Sequence, residues 1–337
     1  MDLLYHKRGK KASSSMTLIK EKFRALPEFS PLKKRIAFDV GLKNKTSFKI
    51  GGKADVFFAP KTLSELTAGL RLFISAQVPI SVLGGGANLL VSDRGVAGAV
   101  VSLQHLHTIR QLSANEIEAE AGVPMERLSR FCAKKGLQGF ENFAGLPGTV
   151  GGAVFMNARC YGDEIALRLK SVKTLLFKNG RFAETEYEFN ANDWAYKKSP
   201  FQNFHTGIQL KENAALILAV RFEVTCGDKR QLQQTRRMRI ADRRAKGHFK
   251  KPSCGSTFKN NRGFGKSSGA IIDELNLKGL KHGKAQVAPF HGNFIINNGG
   301  ATAADVKALI ETVQSRVQEQ TGFLLEPEVI FAGRWDE

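Results

Sequence analysis

The sequence predicts an α+β protein in which helices are inserted among many short strands, followed by a second, compact α/β unit. Three observations lead there. Apolar runs of strand length recur at Ala54–Phe58, Ile80–Leu83, Gly98–Leu103, Ile117–Ala121, Val172–Phe177 and Ala214–Val224, with turn residues between them. Helical periods interrupt the runs near residues 63–74 and 124–135. After Pro252 the chain changes character, and Val306, Leu309, Ile310, Val313 and Val317 mark one face of an amphipathic helix.

Bulk properties narrow the class. A chain of 337 residues has room for two or three domains with ample core. Hydrophobic content of 42% and charged content of 24% are those of a soluble globular protein, and no apolar run is long enough to span a bilayer. The basic start (His6, Lys7, Arg8, Lys10, Lys11) lacks a following apolar segment and cleavage site, so export is not expected. Cys132, Cys160, Cys226 and Cys254 form no Cys-x-x-Cys and no metal-ligand spacing, which points away from a metal and suits a reducing cytoplasm. The net charge of +20 attracts polyanions without naming one: nucleic acid, or a phosphorylated substrate or cofactor.

In chain order, residues 1–35 read as a basic tail ending in a short helix from Thr17 to Leu26, with Met16 an alternative start. Thr46–Pro60 reads as a turn into a strand. Thr62-Leu63-Ser64-Glu65 is a capping box that opens a helix with Leu66, Leu70, Phe73 and Ile74 inward. Next comes a strand, the triplet Gly84-Gly85-Gly86 and another apolar run. The spacing is neither Gly-x-Gly-x-x-Gly nor a Walker loop, so this segment alone is equally compatible with a structural turn and a phosphate cradle. Pro124 opens a helix through Lys135, with Leu128 and Phe131 inward.

Phe140–Glu164 is the stretch around which the chain is organised. Glycine stands at 145, 148, 151, 152 and 162 among apolar and aromatic neighbours. A backbone so free of Cβ atoms can approach a bound group closely and turn successive N–H groups toward an anion. Paired with the earlier triplet, it reads as a cofactor loop. Asn179-Gly180 between two β-rich runs predicts a hairpin with a type I′ turn. Residues 228–251 form a helical stretch with Arg236, Arg237, Arg239, Arg243, Arg244 and Lys246. It is either a solvated basic face or a positive wall for an anionic ligand, and it has few aromatics for a nucleic-acid groove. Ser268 and Thr302 are read as caps of the last two helices, and a domain boundary falls near residue 226.

Pro252–Asn260 is a dense polar cluster in which Ser256 can exchange a proton, while Lys259 and Asn260 can bind phosphate or carbonyl oxygens. No Gly-x-Ser-x-Gly elbow suggests a hydrolase. On composition alone, Glu326 and Glu328 read as solvated.

Four segments together change these readings. Val82–Asp93, Ala144–Ala158, Pro252–Asn260 and Leu325–Val329 resemble, in order, motifs of the UDP-N-acetylenolpyruvoylglucosamine reductase (MurB) family, over roughly residues 40–334. The chain resembles the shorter second type of that family, because the extra tyrosine-bearing loop between Val224 and Pro252 is missing. The resemblance implies an FAD-binding fold of the vanillyl-alcohol-oxidase type in two subdomains (36–112 and 113–226) plus a C-terminal substrate-binding domain (227–337). It further implies non-covalent FAD held by Gly84, Gly85, Gly86, Asn88, Leu89, Gly148, Thr149, Gly151, Gly152, Ala153 and Asn157. Catalysis would fall to Ser256 as proton donor, Glu328 as carboxylate and Lys197 where the family has arginine. Tyr196, Lys259, Asn260, Gln286, His291 and Asn293 would bind the UDP-sugar. NADPH would be the reductant, in a cytoplasmic monomer without a membrane or nucleic-acid partner. The motif Tyr-Arg-x-Ser reads Tyr196-Lys197-Lys198-Ser199 here, and Arg159 is a candidate substitute cation. The alternatives are another FAD oxidoreductase of the same fold, a catalytically weakened FAD-binding homologue, and a basic nucleic-acid-binding protein using residues 1–35 and 229–251.

Overall fold

The computed structural model describes residues 17–203 and 205–335; the basic segment His6–Lys11 lies outside the described residues. Residues 17–24 are helical, and Phe29–Leu32 forms a second turn of helix. Phe23 and Leu32 are buried, with the Phe23 ring 5.7 Å from that of Phe73. Residues 17–35 therefore begin the first core rather than continuing a basic tail.

The first sheet has Lys53–Phe58 antiparallel to Ile36–Gly41 and parallel to Val96–Ser102, which in turn runs parallel to Ile80–Leu83. Parallel pairing needs a crossover, and the helix Leu63–Ser75 supplies it. Thr62 caps this helix by accepting from the Glu65 N–H at 3.1 Å. The Glu65 carboxylate takes the Lys61 N–H at 2.6 Å instead of that of Thr62. Leu66, Leu70 and Phe73 are buried as read, and Ile74 is half-buried.

The second sheet is antiparallel, in the order Arg181–Glu188, Leu169–Lys178, Ala215–Glu223, Glu116–Glu120, Ile109–Gln111. Lys178 lies opposite Arg181, and Asn179 and Gly180 have φ of 51° and 67°, the type I′ geometry expected. One helix escapes a sequence reading. Val150–Phe155, inside the glycine stretch, is helical despite Gly151 and Gly152. Val150, Ala153 and Val154 are buried in the first core, so packing overrides propensity there.

The arginine-rich helix spans Lys229–Ala245 and is capped by Asp228. It is not simply a solvated face. Arg236 is buried and donates to Ser129 Oγ at 2.9 Å and to the Glu126 carboxylate. Arg239 Nε donates to Asn142 Oδ1 at 3.0 Å, and buried Arg243 donates to the Ala144 carbonyl at 3.0 Å. These bonds bolt the helix to the glycine stretch and to the helix before it.

The C-terminal unit holds a sheet in the order Ser253–Ser256, Phe294–Asn297, Ala285–Val287, Lys281–His282. The helices Ser268–Glu274 and Ala303–Thr321 pack their apolar faces into its core. Ser267, rather than Ser268, caps the first of these; Ser268 is buried and donates to the Lys259 carbonyl at 2.6 Å. Thr302 and Asp305 complete a reciprocal capping box on the second. The last strand, Ile330–Ala332, returns to lie parallel to Leu89–Val91. Among the described residues no helix is long and apolar enough to cross a membrane.

One glycine tests the first core. A Cβ on Gly69 would lie 2.3 Å from the ring of fully buried Phe58. Glycine to alanine inside a helix normally gains about 1 kcal/mol. Overpacking costs about 1–3 kcal/mol, and Phe58 has nowhere to move. Gly69→Ala is expected to destabilise the protein, measured as a lower urea midpoint with an unchanged m-value; a raised midpoint would contradict this packing.

Candidate active site

The two glycine segments lie side by side in the lining of one cleft of about 1350 Å³. A single small-molecule pocket is typically about 300–1,000 Å³, so this one has room for two ligands side by side. The first loop hangs between Ile80–Leu83 and Leu89–Val91. The second runs from Gly145 into the short helix Val150–Phe155. They abut so closely that a Cβ on Gly85 would lie 2.6 Å from Gly148 Cα. Beside them Thr149 Oγ1 is buried with no hydrogen-bond partner among the described residues. Two exposed-backbone bends in contact, with a spare hydroxyl next to them, fit a dinucleotide whose diphosphate needs close main-chain approach. Gly84, Gly85, Gly86, Asn88, Leu89, Gly148, Thr149, Gly151, Gly152 and Ala153 all line the cleft.

Asn157 does not line it. It is buried, donating to Glu164 Oε1 at 2.6 Å and to the Ala195 carbonyl at 2.9 Å.

Next to the first loop, the segment Thr257–Lys259 lies antiparallel to Glu326–Glu328. The Glu328 N–H donates to the Thr257 carbonyl at 2.7 Å, and the Lys259 N–H to the Glu326 carbonyl at 2.9 Å. This ladder sets Ser256 beside Glu328 on the cleft wall. Lys197 arrives from a tight turn, Ala195–Lys198, with a left-handed φ of 58°. Its Nζ meets Glu328 Oε1 at 2.6 Å, and the two side chains are only 13% and 11% exposed. Glu328, read as solvated on composition, is thus partly buried in an ion pair at the cleft.

The expected sugar-nucleotide residues separate into two groups. Asn260 and His291 line the cleft. The other four lie off its wall with their polar groups already engaged. The Tyr196 hydroxyl accepts from the Asn260 N–H at 3.3 Å, and Lys259 pairs with Glu326. Gln286 donates to the Gly279 carbonyl at 3.1 Å. Asn293 clamps Phe258, accepting from its N–H and donating to its carbonyl at 2.8 Å each.

Sequence reasoning missed part of the rim: Tyr161, His248 and Phe249 line it, beside Arg243 and Lys246 of the expected positive wall and the candidate cation Arg159. Tyr161 donates to Asp242 Oδ2 at 2.8 Å, with the Arg239 and Arg243 guanidiniums 4.4 and 5.1 Å from its ring centre. The charge run was visible, but not which cations turn toward the cleft. Burial pushes the Cys160 thiol up to about 11 and that of Cys254 to about 12, so these cleft cysteines stay neutral and are not nucleophiles near pH 7. His248 is brought down to about 4, first by burial and then by neighbouring Arg243. It packs 4.7 Å from the Phe294 ring.

Two abutting glycine bends and an ion pair in one cleft are the site of an FAD-dependent oxidoreductase with the α+β fold of the vanillyl-alcohol-oxidase type: the FAD binding domain model matches residues 54–186. A model of the UDP-N-acetylenolpyruvoylglucosamine reductase C-terminal domain matches residues 247–332. The chain is 48% identical over 304 residues to the UDP-N-acetylenolpyruvoylglucosamine reductase of Treponema denticola, covering 89% of this chain and 94% of that one. With the same-named protein of Borrelia garinii it shares 40% identity over 298 residues, 87% of this chain and 92% of the other. The crystal structure of UDP-N-acetylenolpyruvylglucosamine reductase from Thermus caldophilus superposes with a TM-score of 0.70 at 32% identity, covering 88% of this chain and 98% of that one. The chain belongs to the UDP-N-acetylenolpyruvoylglucosamine reductase family, whose members serve peptidoglycan synthesis.

Two outcomes follow from this geometry. Gly85→Ala is expected to force the loops apart and strip FAD from protein that remains folded by circular dichroism; full flavin content in the purified variant would contradict the loop contact. Between about pH 4 and the ordinary histidine range, the unfolded chain holds a proton on His248 that the folded one does not. Stability should therefore fall as pH drops through that window. His248→Phe should flatten the slope of unfolding free energy between pH 7 and pH 5, and an unchanged slope would remove His248 from its cause.

Proposed function

We propose that the protein reduces UDP-N-acetylenolpyruvoylglucosamine to UDP-N-acetylmuramate at the expense of NADPH, as a monomer in the cytoplasm. In this reading residues 36–226 hold the flavin and residues 227–337 the sugar nucleotide. The observation that carries it is the partly buried Lys197–Glu328 pair, which shares one cleft with Ser256 and both glycine loops. The chemistry FAD supplies when bound is hydride, taken from NADPH and given from flavin N5 to C3 of the enolpyruvyl group.

Hydride addition at C3 places negative charge on an enolate. The Lys197 ammonium, held at a fixed position by Glu328, offsets that charge in a site sheltered from water, where such stabilisation is strongest. The Ser256 hydroxyl makes no hydrogen bond within the protein among the described residues, which leaves it free to deliver a proton to C2. Glu328 orients the ammonium and lies next to the proton donor. In this reading Asn260 and His291, which line the cleft, contact the nucleotide, and the rim cations Arg243 and Lys246 favour its diphosphate. Lys197 keeps the charge of the family's arginine but offers a point charge in place of a planar fork.

Ser256→Ala should leave reduction of the bound flavin by NADPH intact while turnover falls about 10²- to 10⁴-fold. Normal turnover in this variant would take Ser256 out of the role. Lys197→Arg should hold or raise kcat, and a large fall would show that Lys197 does not occupy the arginine's place.

A further inference from the structure

The ion pair at the centre of the cleft is not held only by its own charges. Each partner's main-chain carbonyl is gripped by a side-chain amide, and each amide belongs to, or is tied to, one of the two flavin loops. Asn88, which ends the first loop, donates from Nδ2 to the Glu328 carbonyl at 2.9 Å. Its own carbonyl accepts the Ile330 N–H at 3.0 Å, so one residue grips the chain at both Glu328 and Ile330, where the last strand begins. Gln202 Nε2 donates to the Lys197 carbonyl at 3.0 Å and to the carbonyl of Phe155, the last residue of the second loop's helix, at 2.8 Å.

Lys197 needs such a grip. A lysine at φ of 58° is in a conformation that L side chains adopt at a cost, and it persists only where its surroundings over-determine it. The other end of its turn is held as well, since buried Asn157 donates to the Ala195 carbonyl at 2.9 Å. Ser199 Oγ adds a bond to the same Phe155 carbonyl at 2.7 Å. The turn is therefore tied to the second loop, and the segment carrying Glu328 to the first.

We propose that Asn88 and Gln202 are positioning residues for the reaction. They fix the ammonium and the carboxylate relative to the loops that seat the flavin, so that the seating of the cofactor sets the distance between the reacting groups and the substrate. This rests on reading Lys197 and Glu328 as the reacting pair. It assigns Asn88's side chain to the carboxylate strand, where the sequence reading placed it on the cofactor. Neither amide touches a reacting atom in this role.

The test is stopped-flow measurement of the two half-reactions on purified, FAD-loaded full-length protein, with Gln202→Glu, Gln202→Met and Asn88→Asp compared with the parent. Each substitution keeps side-chain size and removes the donating N–H. Displacing a reacting group by about 1 Å costs on the order of 100-fold. The Gln202 variants are therefore expected to retain flavin and be reduced by NADPH at the parent's rate. Reoxidation by the enolpyruvyl nucleotide should slow about 10- to 100-fold, with the fall in kcat and not in KM. Asn88→Asp should likewise slow reoxidation, read on the fraction of that variant that holds flavin, since Asn88 also lines the cleft. Loss of flavin from both Gln202 variants, or equal slowing of both half-reactions, would make the amide a structural bond only and overturn the proposal. Parent-like reoxidation in all three variants would overturn it too. A parent protein that the nucleotide does not reoxidise would instead remove the proposed function, and this proposal with it.

Discussion

The site depends on the parallel pairing of Leu89–Val91 with Ile330–Ala332. It joins segments some 240 positions apart and brings Glu328 against the first flavin loop. Backbone bonds alone net only about 1 kcal/mol each, too little to hold two units together. The alternation of the strand supplies the rest. Leu90 points into the C-terminal core with Phe48 and Ile50, while Leu89 and Val91 belong to the cluster that holds Ala332. Burying each of these large side chains is worth about 1.5–3 kcal/mol, so a single short strand fastens two cores. Asp93, at its far end, accepts the Ala303 and Ala304 N–H groups at 2.9 and 3.0 Å and so holds the start of the last helix from the flavin side. The two walls of the cleft are fixed to each other before any ligand binds.

Charge is spent unevenly over this frame. Although the net charge is +20, two of the arginines in the basic helix are buried and bond to the glycine stretch and the helix before it. The pair Lys197–Glu328 is different. Removing two charges from water costs more than a solvent-facing contact returns, so a buried pair is weak evidence for stability. Here it coincides with a strained backbone and with a cleft, and that combination is what the proposed catalytic role is argued from.

Local signals carried most of the fold. Thr62 and Thr302 cap helices, Asn179-Gly180 turns a hairpin, and the two glycine segments do meet in one cleft, because each of these features is written in a few neighbouring residues. Features set by distant packing were not legible. The helix Val150–Phe155 is one, since its glycines argue against it and only the burial of Val150 and Val154 favours it. Glu328 is another: composition cannot show that a lysine 131 positions away will bury it. Asn157 and Asn293 stood inside recognisable motifs, yet their amides are engaged by the protein's own main chain. A motif marks where a site is more reliably than which atoms face the ligand.

The central claim is that the two loops seat a flavin within reach of an unsaturated sugar ether beside Ser256. The most direct measurement is the absorption spectrum of the purified protein under anaerobic conditions, first with NADPH and then with the enolpyruvyl UDP-sugar. The account expects about one flavin per chain, bleached by the reductant and restored in full by the sugar nucleotide. A well-folded protein that takes up no flavin, or a reduced flavin restored only when oxygen is admitted, would contradict it.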